Sequence, residues 1–289
     1  MILVVGSTGM LGGMITRQLL ERGHSVRLLV RPGASHAGLA DMGAELVSGD
    51  LKERESLAAA CEGVDTVITT ANSALRSAPD TVETVDRQGN RNLIDAARSA
   101  GVRHFIFLSA LGANDESRMD FMRAKAETER YLRSSGMRYT ILQPNVFMDT
   151  WIPMLVGRAV QAGQPVTLVG EGRRRHSMIA AADVAAFTVA CVGNQDVLDQ
   201  TVPLGGPAPV SWRDIVAACE RTVGHPIEVR HLAPGESIPG LPDLVSNFAA
   251  ALESYDSPLE MMQTAAAFGV RLTPVEEFIA ELLAPAGRH

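Results

Sequence analysis

Cysteine is scarce in this sequence of 289 residues. The three present, Cys61, Cys191 and Cys219, lie far apart with no CxxC or Cys/His spacing. That pattern excludes a disulfide framework and a zinc site, so buried thiols and no metal are expected. No apolar run approaches the ~20 residues of a membrane span. The opening MILVVGSTGM has neither a basic leader region nor a cleavage site, so neither membrane nor export is expected and the chain reads as cytoplasmic. Basic residues do not prevail: 26 stand against 33 acidic ones, a formal net charge of -7. Nucleic acid needs a basic face to displace counterions from its phosphates, so the expected partner is a small molecule. Two further scarcities narrow the chemistry. Tyrosine occurs only at 131, 139 and 255, and Lys52 and Lys125 are the only lysines among the 26 basic residues.

A hydrophobic content of 46% supplies a core, and its arrangement is regular. Short β-branched runs at 2–5, 25–30, 44–48, 64–70, 103–108 and 138–142 alternate with amphipathic segments, clearest at 10–22, 53–62, 80–99 and 116–135. Gly23, Gly63, Gly101 and Gly136 each follow a helix and precede a strand, where a left-handed residue turns the chain back. The pattern is that of βα units feeding a parallel sheet. After Pro144 the rhythm breaks. Proline and glycine become frequent and helices are expected near 151–162, 183–192, 211–223 and 243–283. Two domains are therefore expected: residues 1–150, and a smaller irregular lobe over 151–289 with some segments returning to the main sheet.

The first strand ends in Gly6-Ser7-Thr8-Gly9-Met10-Leu11-Gly12 and opens an amphipathic helix with Ile15, Leu19 and Leu20 facing inward. Glycines at spacing three let backbone amides approach a pyrophosphate, and a helix N-terminus favours the negative charge. In this context the motif predicts a doubly wound α/β sheet of the Rossmann type with helices on both faces, holding a dinucleotide. Where an NAD-specific site places Asp or Glu after the second strand, this chain has Leu29-Val30-Arg31-Pro32. A guanidinium suits a 2′-phosphate, so NADP(H) is the expected cofactor and Arg31 its discriminator. Asp50 and Leu51 follow the third strand at the adenine edge, where Asp50 accepts from the exocyclic amine or caps the helix from 53. Thr70, Ala71, Asn72 and Ser73 end the fourth strand at the rim where open sheets bind ligands.

GSTGMLGG, the arginine after the second strand, GDL after the third, GNRNLIDAARSAGVRHFIFLSALGA and RAKAETERYLRSSGMRYTILQPNVFMDTW together resemble the NmrA-like atypical short-chain dehydrogenase/reductases over residues 1–195. Relatives of that kind include NADPH-dependent quinone, triphenylmethane, isoflavone and pinoresinol reductases, and redox sensors without turnover. The resemblance implies that Pro144, Asn145 and Val146 touch the nicotinamide half and that residues 176–183 join the lobes near the substrate. It also exposes a departure. Tyrosine-dependent members use YxxxK, and the register here reads Phe121-Met122-Arg123-Ala124-Lys125. Phe121 cannot donate a proton, which removes the usual acid.

Lys125 remains, and shares a helical face with Phe121, Thr128 and Leu132, a stripe expected to pack inward. An ammonium there needs partners such as ribose hydroxyls; the alternative is a stem snorkelling to water. Ser109 either hydrogen-bonds near the nicotinamide or caps the turn before Leu111. His176 is a candidate acid or substrate contact, with a satisfied structural histidine as the alternative. Asp183 reads as the N-cap of a helix from Val184. Phe248, Leu252, Met261, Met262 and Phe268 line an apolar pocket or the lobe's core. Nothing chooses between a monomer and a homodimer. The functional expectation is an NADPH-dependent reductase of a quinone, enone or dye-like acceptor, with Lys125 and His176 as its catalytic candidates. The rival is an NADP(H)-binding sensor or scaffold without turnover.

Overall fold

A computed structural model describes residues 1–33, 37–74, 76 and 78–284. The chain runs β1 (Ile2–Val5), α1 (Met10–Glu21), β2 (Val26–Val30), α2 (Ala37–Asp41), β3 (Glu45–Ser48), α3 (Arg54–Cys61) and β4 (Thr66–Thr69). A π-helix (Val82–Gly89) leads into α4 (Asn90–Ser99), β5 (His104–Leu108), α5 (Asp120–Ser134) and β6 (Tyr139–Pro144). Then come α6 (Met148–Ile152), a second π-helix (Pro153–Gly157), α7 (Arg158–Gln161), β7 (Val166–Val169), α8 (Ala181–Ala190) and β8 (Gln200–Leu204). The last elements are α9 (Trp212–Val223), β9 (Val229–Leu232), α10 (Asp243–Leu252), α11 (Met262–Phe268) and α12 (Val275–Leu282). They form two compact units, residues 1–144 with 184–203, and residues 145–183 with 204–289.

The first unit carries the sheet, in the order β3-β2-β1-β4-β5-β6-β8, with parallel registers from β3 through β6. Burial explains the sequence of each strand. β1 and β5, read as ILVV and HFIFL, are buried at every position because helices cover both faces, whereas the edge strand β3 is only half covered. The order reverses between β1 and β4, so the crevice for a ligand opens at their carboxyl ends. Leu3, Leu57, Leu93, Phe105 and Phe107 fill the core on one face.

Four differences from the sequence reading have physical causes. The 80–99 helix begins as a π-helix, whose capping box pairs Thr81 and Thr84, before tightening to α at Asn90. The segment 243–283 is three helices: Pro258 and Pro274 lie between them, and Gly269 adopts φ +64° to close α11. β7, β8 and β9 are additional strands; β7 and β9 pair in parallel in the second unit. Asp183 is no N-cap but lies inside the first turn of α8, where its carboxylate accepts from the amide and hydroxyl of Thr273 at 2.7 and 2.8 Å.

In the second unit Trp151 stacks on Phe248 with ring centroids 3.7 Å apart, while Leu252 and Met261 are buried. These residues serve the core, and Met262, 67% exposed, does not. No helix among the described residues is long and apolar enough to cross a membrane.

His104 ties β5 to its neighbours. Its Nε2 meets Thr140 Oγ1 at 2.8 Å, and Thr140 donates onward to the Val197 carbonyl at 2.8 Å. Burial depresses the imidazole to about 4, so the folded chain keeps it neutral while an unfolded histidine protonates near 6.5. A depressed histidine makes the unfolded state bind more protons between those values, so stability falls as pH falls from 6.5 to 4, by up to about 3 kcal/mol from this group. Urea unfolding across that range should show the decline, and His104→Gln should flatten it. An unchanged slope in the variant contradicts the assignment.

Candidate functional site

The glycine loop is built by backbone touching backbone. Gly6 has φ +90°, which favours glycine, and a Cβ there would lie 2.5 Å from Thr70 Oγ1. A Cβ on Gly12 would lie 2.2 Å from the Gly6 carbonyl oxygen, so the first turn of α1 fits against the loop only without a side chain. Gly9 N donates to Gly6 O at 3.0 Å, and Thr70 N donates to Val5 O at 3.0 Å, which fastens the end of β4 to the end of β1. α1 starts at Met10 with no side-chain cap and no acidic residue in its first turn. Its leading amides and positive dipole end are thus available to an anion, beside Thr8, Met10 and Leu11. Ser7 is 1% exposed and its Oγ has no hydrogen-bond partner. An orphaned hydroxyl inside a cradle that a Cβ would fill fits a bound pyrophosphate.

Charge gathers at the neighbouring strand ends. Arg31, after β2, donates to Asp80 at 2.5 Å; Lys52, after β3, does so at 2.6 Å; Arg76 reaches it at 3.2 Å. Three cations on one carboxylate hold Asp80 down at about 2, the Lys52 hydrogen bond being the main cause, and the same bond to Asp80 raises Lys52. Asp50 does not cap the following helix. Its Oδ1 accepts from Lys52 N at 2.9 Å and its Oδ2 lies 3.2 Å from Lys52 Nζ, so it steadies the loop that carries Leu51 and Lys52. The cluster carries an excess of positive charge, arginine side chains about two-fifths exposed, and a fork geometry suited to phosphate. Sequence reasoning found Arg31 but not Lys52, Arg76 or Asp80. The rarity of lysine marked Lys52, yet only folding brings residues from three loops together.

The other strand ends hold their side chains inside the protein. Asn72 donates to Thr70 O at 3.2 Å and accepts from Ala74 N at 3.0 Å, closing the loop after Ala71. Ser109 neither caps a turn nor keeps its proton free: its Oγ donates to Glu129 Oε1 at 2.5 Å, leaving only lone pairs for a ligand. Gln143 donates to the same oxygen at 2.8 Å, and Arg133 pairs with the other at 2.9 Å. Pro144 accepts from Leu111 N at 2.9 Å.

Lys125 is 3% exposed, not snorkelling. Its Nζ donates to Leu108 O at 3.0 Å and lies 4.9 and 5.3 Å from the ring centres of Phe107 and Phe121. Phe121 thus sets a π face against the lysine and carries no hydroxyl. Burial pulls the ammonium below its ordinary value, opposed by Asp86 and Glu129. Tyr131 is no substitute acid, since its hydroxyl donates to Asp95 at 2.7 Å.

In the second unit His176, the candidate acid or substrate contact, has the contacts of a satisfied structural histidine. It has no exposed surface; its Nδ1 faces Ser257 Oγ at 2.7 Å and its Nε2 faces the Leu252 carbonyl at 3.1 Å. A carbonyl can only accept, so Nε2 carries the proton and Nδ1 is the acceptor. Burial lowers its affinity for a second proton. Asn145 donates to Ser257 O at 2.9 Å and accepts from Val146 N at 2.8 Å, a contact set that fixes this chain segment.

Known proteins place this geometry. Residues 6–195 match the family described as NAD(P)H-binding. Photosystem II assembly factor Ycf39 of Synechocystis is 35% identical over 230 residues, 78% of this chain and 68% of that protein. NAD(P)H azoreductase of Xenophilus azovorans is 34% identical over 227 residues, 78% and 75% of the two chains. Among solved structures, the Citrobacter triphenylmethane reductase complexed with NADP(H) superposes with a TM-score of 0.84 at 21% identity, covering 98% of this chain and 100% of that one. The cradle, the sheet and these matches agree, and the chain belongs to the NAD(P)H-binding family.

Proposed function

We propose that this protein is an NADPH-dependent reductase that passes hydride to a small organic acceptor, a quinone, a conjugated enone or a dye-like compound, without a tyrosine acid. The observation that carries the proposal is the pairing of Phe121 with Lys125: the position of the acid is filled by a ring, while the buried cation beside it is kept. Bound NADPH supplies the hydride. The chain's own residues bind and orient. The glycine loop and the first turn of α1 hold the pyrophosphate, and Arg31, Lys52 and Arg76 take the 2′-phosphate, which favours NADPH over NADH. Lys125, dry and charged, stabilises negative charge developing on an acceptor oxygen or nitrogen. Acceptors of this kind spread or neutralise the charge that hydride brings, so the reaction tolerates the loss of a strong local acid. The azoreductase relative supports the acceptor class.

A second reading has its own support. The assembly-factor relative is as similar as the azoreductase, and a protein that binds NADP(H) to regulate or assemble another without turnover fits the same missing acid.

Fluorescence titration should show NADPH binding more tightly than NADH. Arg31→Ala or Lys52→Met should each weaken NADPH about tenfold or more, the worth of one charge-assisted hydrogen bond, and leave NADH nearly unchanged. Equal loss for both cofactors contradicts the 2′-phosphate assignment. In steady state, NADPH absorbance should fall on adding menadione, an azo dye or a triphenylmethane dye, with Lys125→Met lowering kcat about a hundredfold. Tight NADPH binding with no oxidation by any of the three supports the regulatory reading instead.

A further inference from the structure

The nucleotide-binding unit buries two opposite charges that make no direct ion pair. Among its described residues the buried carboxylates and ammonium are Asp80, Asp86, Lys125 and Glu129. Asp80 holds three cations and Glu129 holds Arg133. Asp86 and Lys125 are left over. A lone carboxylate and a lone ammonium are each costly to bury, and each lowers the cost of the other when they face across a dry interface.

The structure holds the two in facing elements. Asp86 lies in the π-helix Val82–Gly89, which packs against α5, the helix of Lys125. Thr128, three residues beyond Lys125, donates its hydroxyl to the Asp86 carbonyl at 3.0 Å, and Asn90 donates to that carbonyl at 3.1 Å. The backbone of Asp86 is therefore pinned to α5. Its carboxylate is held by Ser73: Oδ2 accepts from Ser73 N at 3.0 Å and from Ser73 Oγ at 2.5 Å, at the carboxyl rim beyond β4. Oδ1 is buried with no hydrogen-bond partner. Ser73 therefore holds one oxygen, and no hydrogen-bond donor among the described residues meets the other. Lys125 is the mirror case, with three N–H donors and the Leu108 carbonyl as its one hydrogen-bond acceptor among the described residues.

We propose that Asp86 is the counter-charge of Lys125, a positioning residue whose carboxylate keeps the buried ammonium charged at the foot of the nucleotide crevice. The charged groups that bear on Lys125 are Asp86 from the π-helix and Glu129 from its own helix. Glu129 is already committed to Arg133, Ser109 and Gln143, so Asp86 is the carboxylate whose charge is free to act on the lysine. The importance of the pair for turnover rests on the reductase reading; the pairing itself does not.

The scarcity of lysine makes the test direct. Protein labelled with carbon-13 at lysine Cε has two side-chain resonances, assigned by Lys52→Arg. The Lys125 signal should remain that of an ammonium at pH 7. In Asp86→Asn its titration midpoint should fall by one pH unit or more, a tenfold loss of proton affinity, with Lys52 unmoved; Asp86→Glu should restore it and Glu129→Gln should move it less. A neutral Lys125 at pH 7 in the unaltered protein overturns the proposal, and so does an unchanged midpoint in Asp86→Asn. The first result needs no variant to fold. Neither needs an acceptor or turnover, so this proposal and the reductase reading fail separately.

Discussion

The contact between the first turn of α1 and the carbonyl of Gly6 leaves no room for a side chain, and the nucleotide-binding unit is arranged around it. A Cβ on Gly12 would overlap that oxygen, so at its start the helix packs backbone against backbone. From that approach follow the aim of the helix dipole at the crevice, the closeness of Thr70 to Gly6, and the seclusion of the Ser7 hydroxyl. The strands beneath contribute rigidity: β1, β4 and β5 are buried at every position, so the loops at their ends have a firm base.

Around this base the chain separates two electrostatic environments. Beyond the ends of β2, β3 and β4, two arginines and a lysine remain partly hydrated and share Asp80, a setting whose charge and geometry suit a phosphate without full desolvation. Beneath β5, Lys125 is dry, walled by two aromatic rings and a carbonyl. A charge so placed acts more strongly on its neighbours than one in water, and burial makes its protonation depend on the carboxylates nearby. Phe121 adds a ring beside it and no proton donor, which accords with the proposed reduction of acceptors that need no acid.

The sheet was legible because buried parallel strands are continuous apolar runs, and the loop was legible because GSTGMLG follows the first of them. Lys125 was legible from its spacing to Phe121, Thr128 and Leu132, three residues the structure keeps on one packed helix. What escaped depends on distance in sequence or on a change of helical period. Arg31, Lys52, Arg76 and Asp80 meet only after four strands, β3, β2, β1 and β4, have paired. Asp86 shares a buried stretch with Val85 and Leu93, a carboxylate among apolar residues that pattern alone could have flagged, but the π-helix shifts the facing residues away from the α period. His176 was indistinguishable in sequence from a catalytic histidine, since Ser257 and Leu252, which occupy its nitrogens, lie some eighty positions later.

Direct transfer of the hydride is the central claim. A single turnover with NADPH deuterated at C4 of the nicotinamide, and a conjugated enone as acceptor, follows the atom itself. The account predicts deuterium at the β-carbon of the saturated ketone, with transfer slowed by the label. Recovery of unchanged enone and fully deuterated NADPH, from protein shown to be saturated with the cofactor, would contradict it.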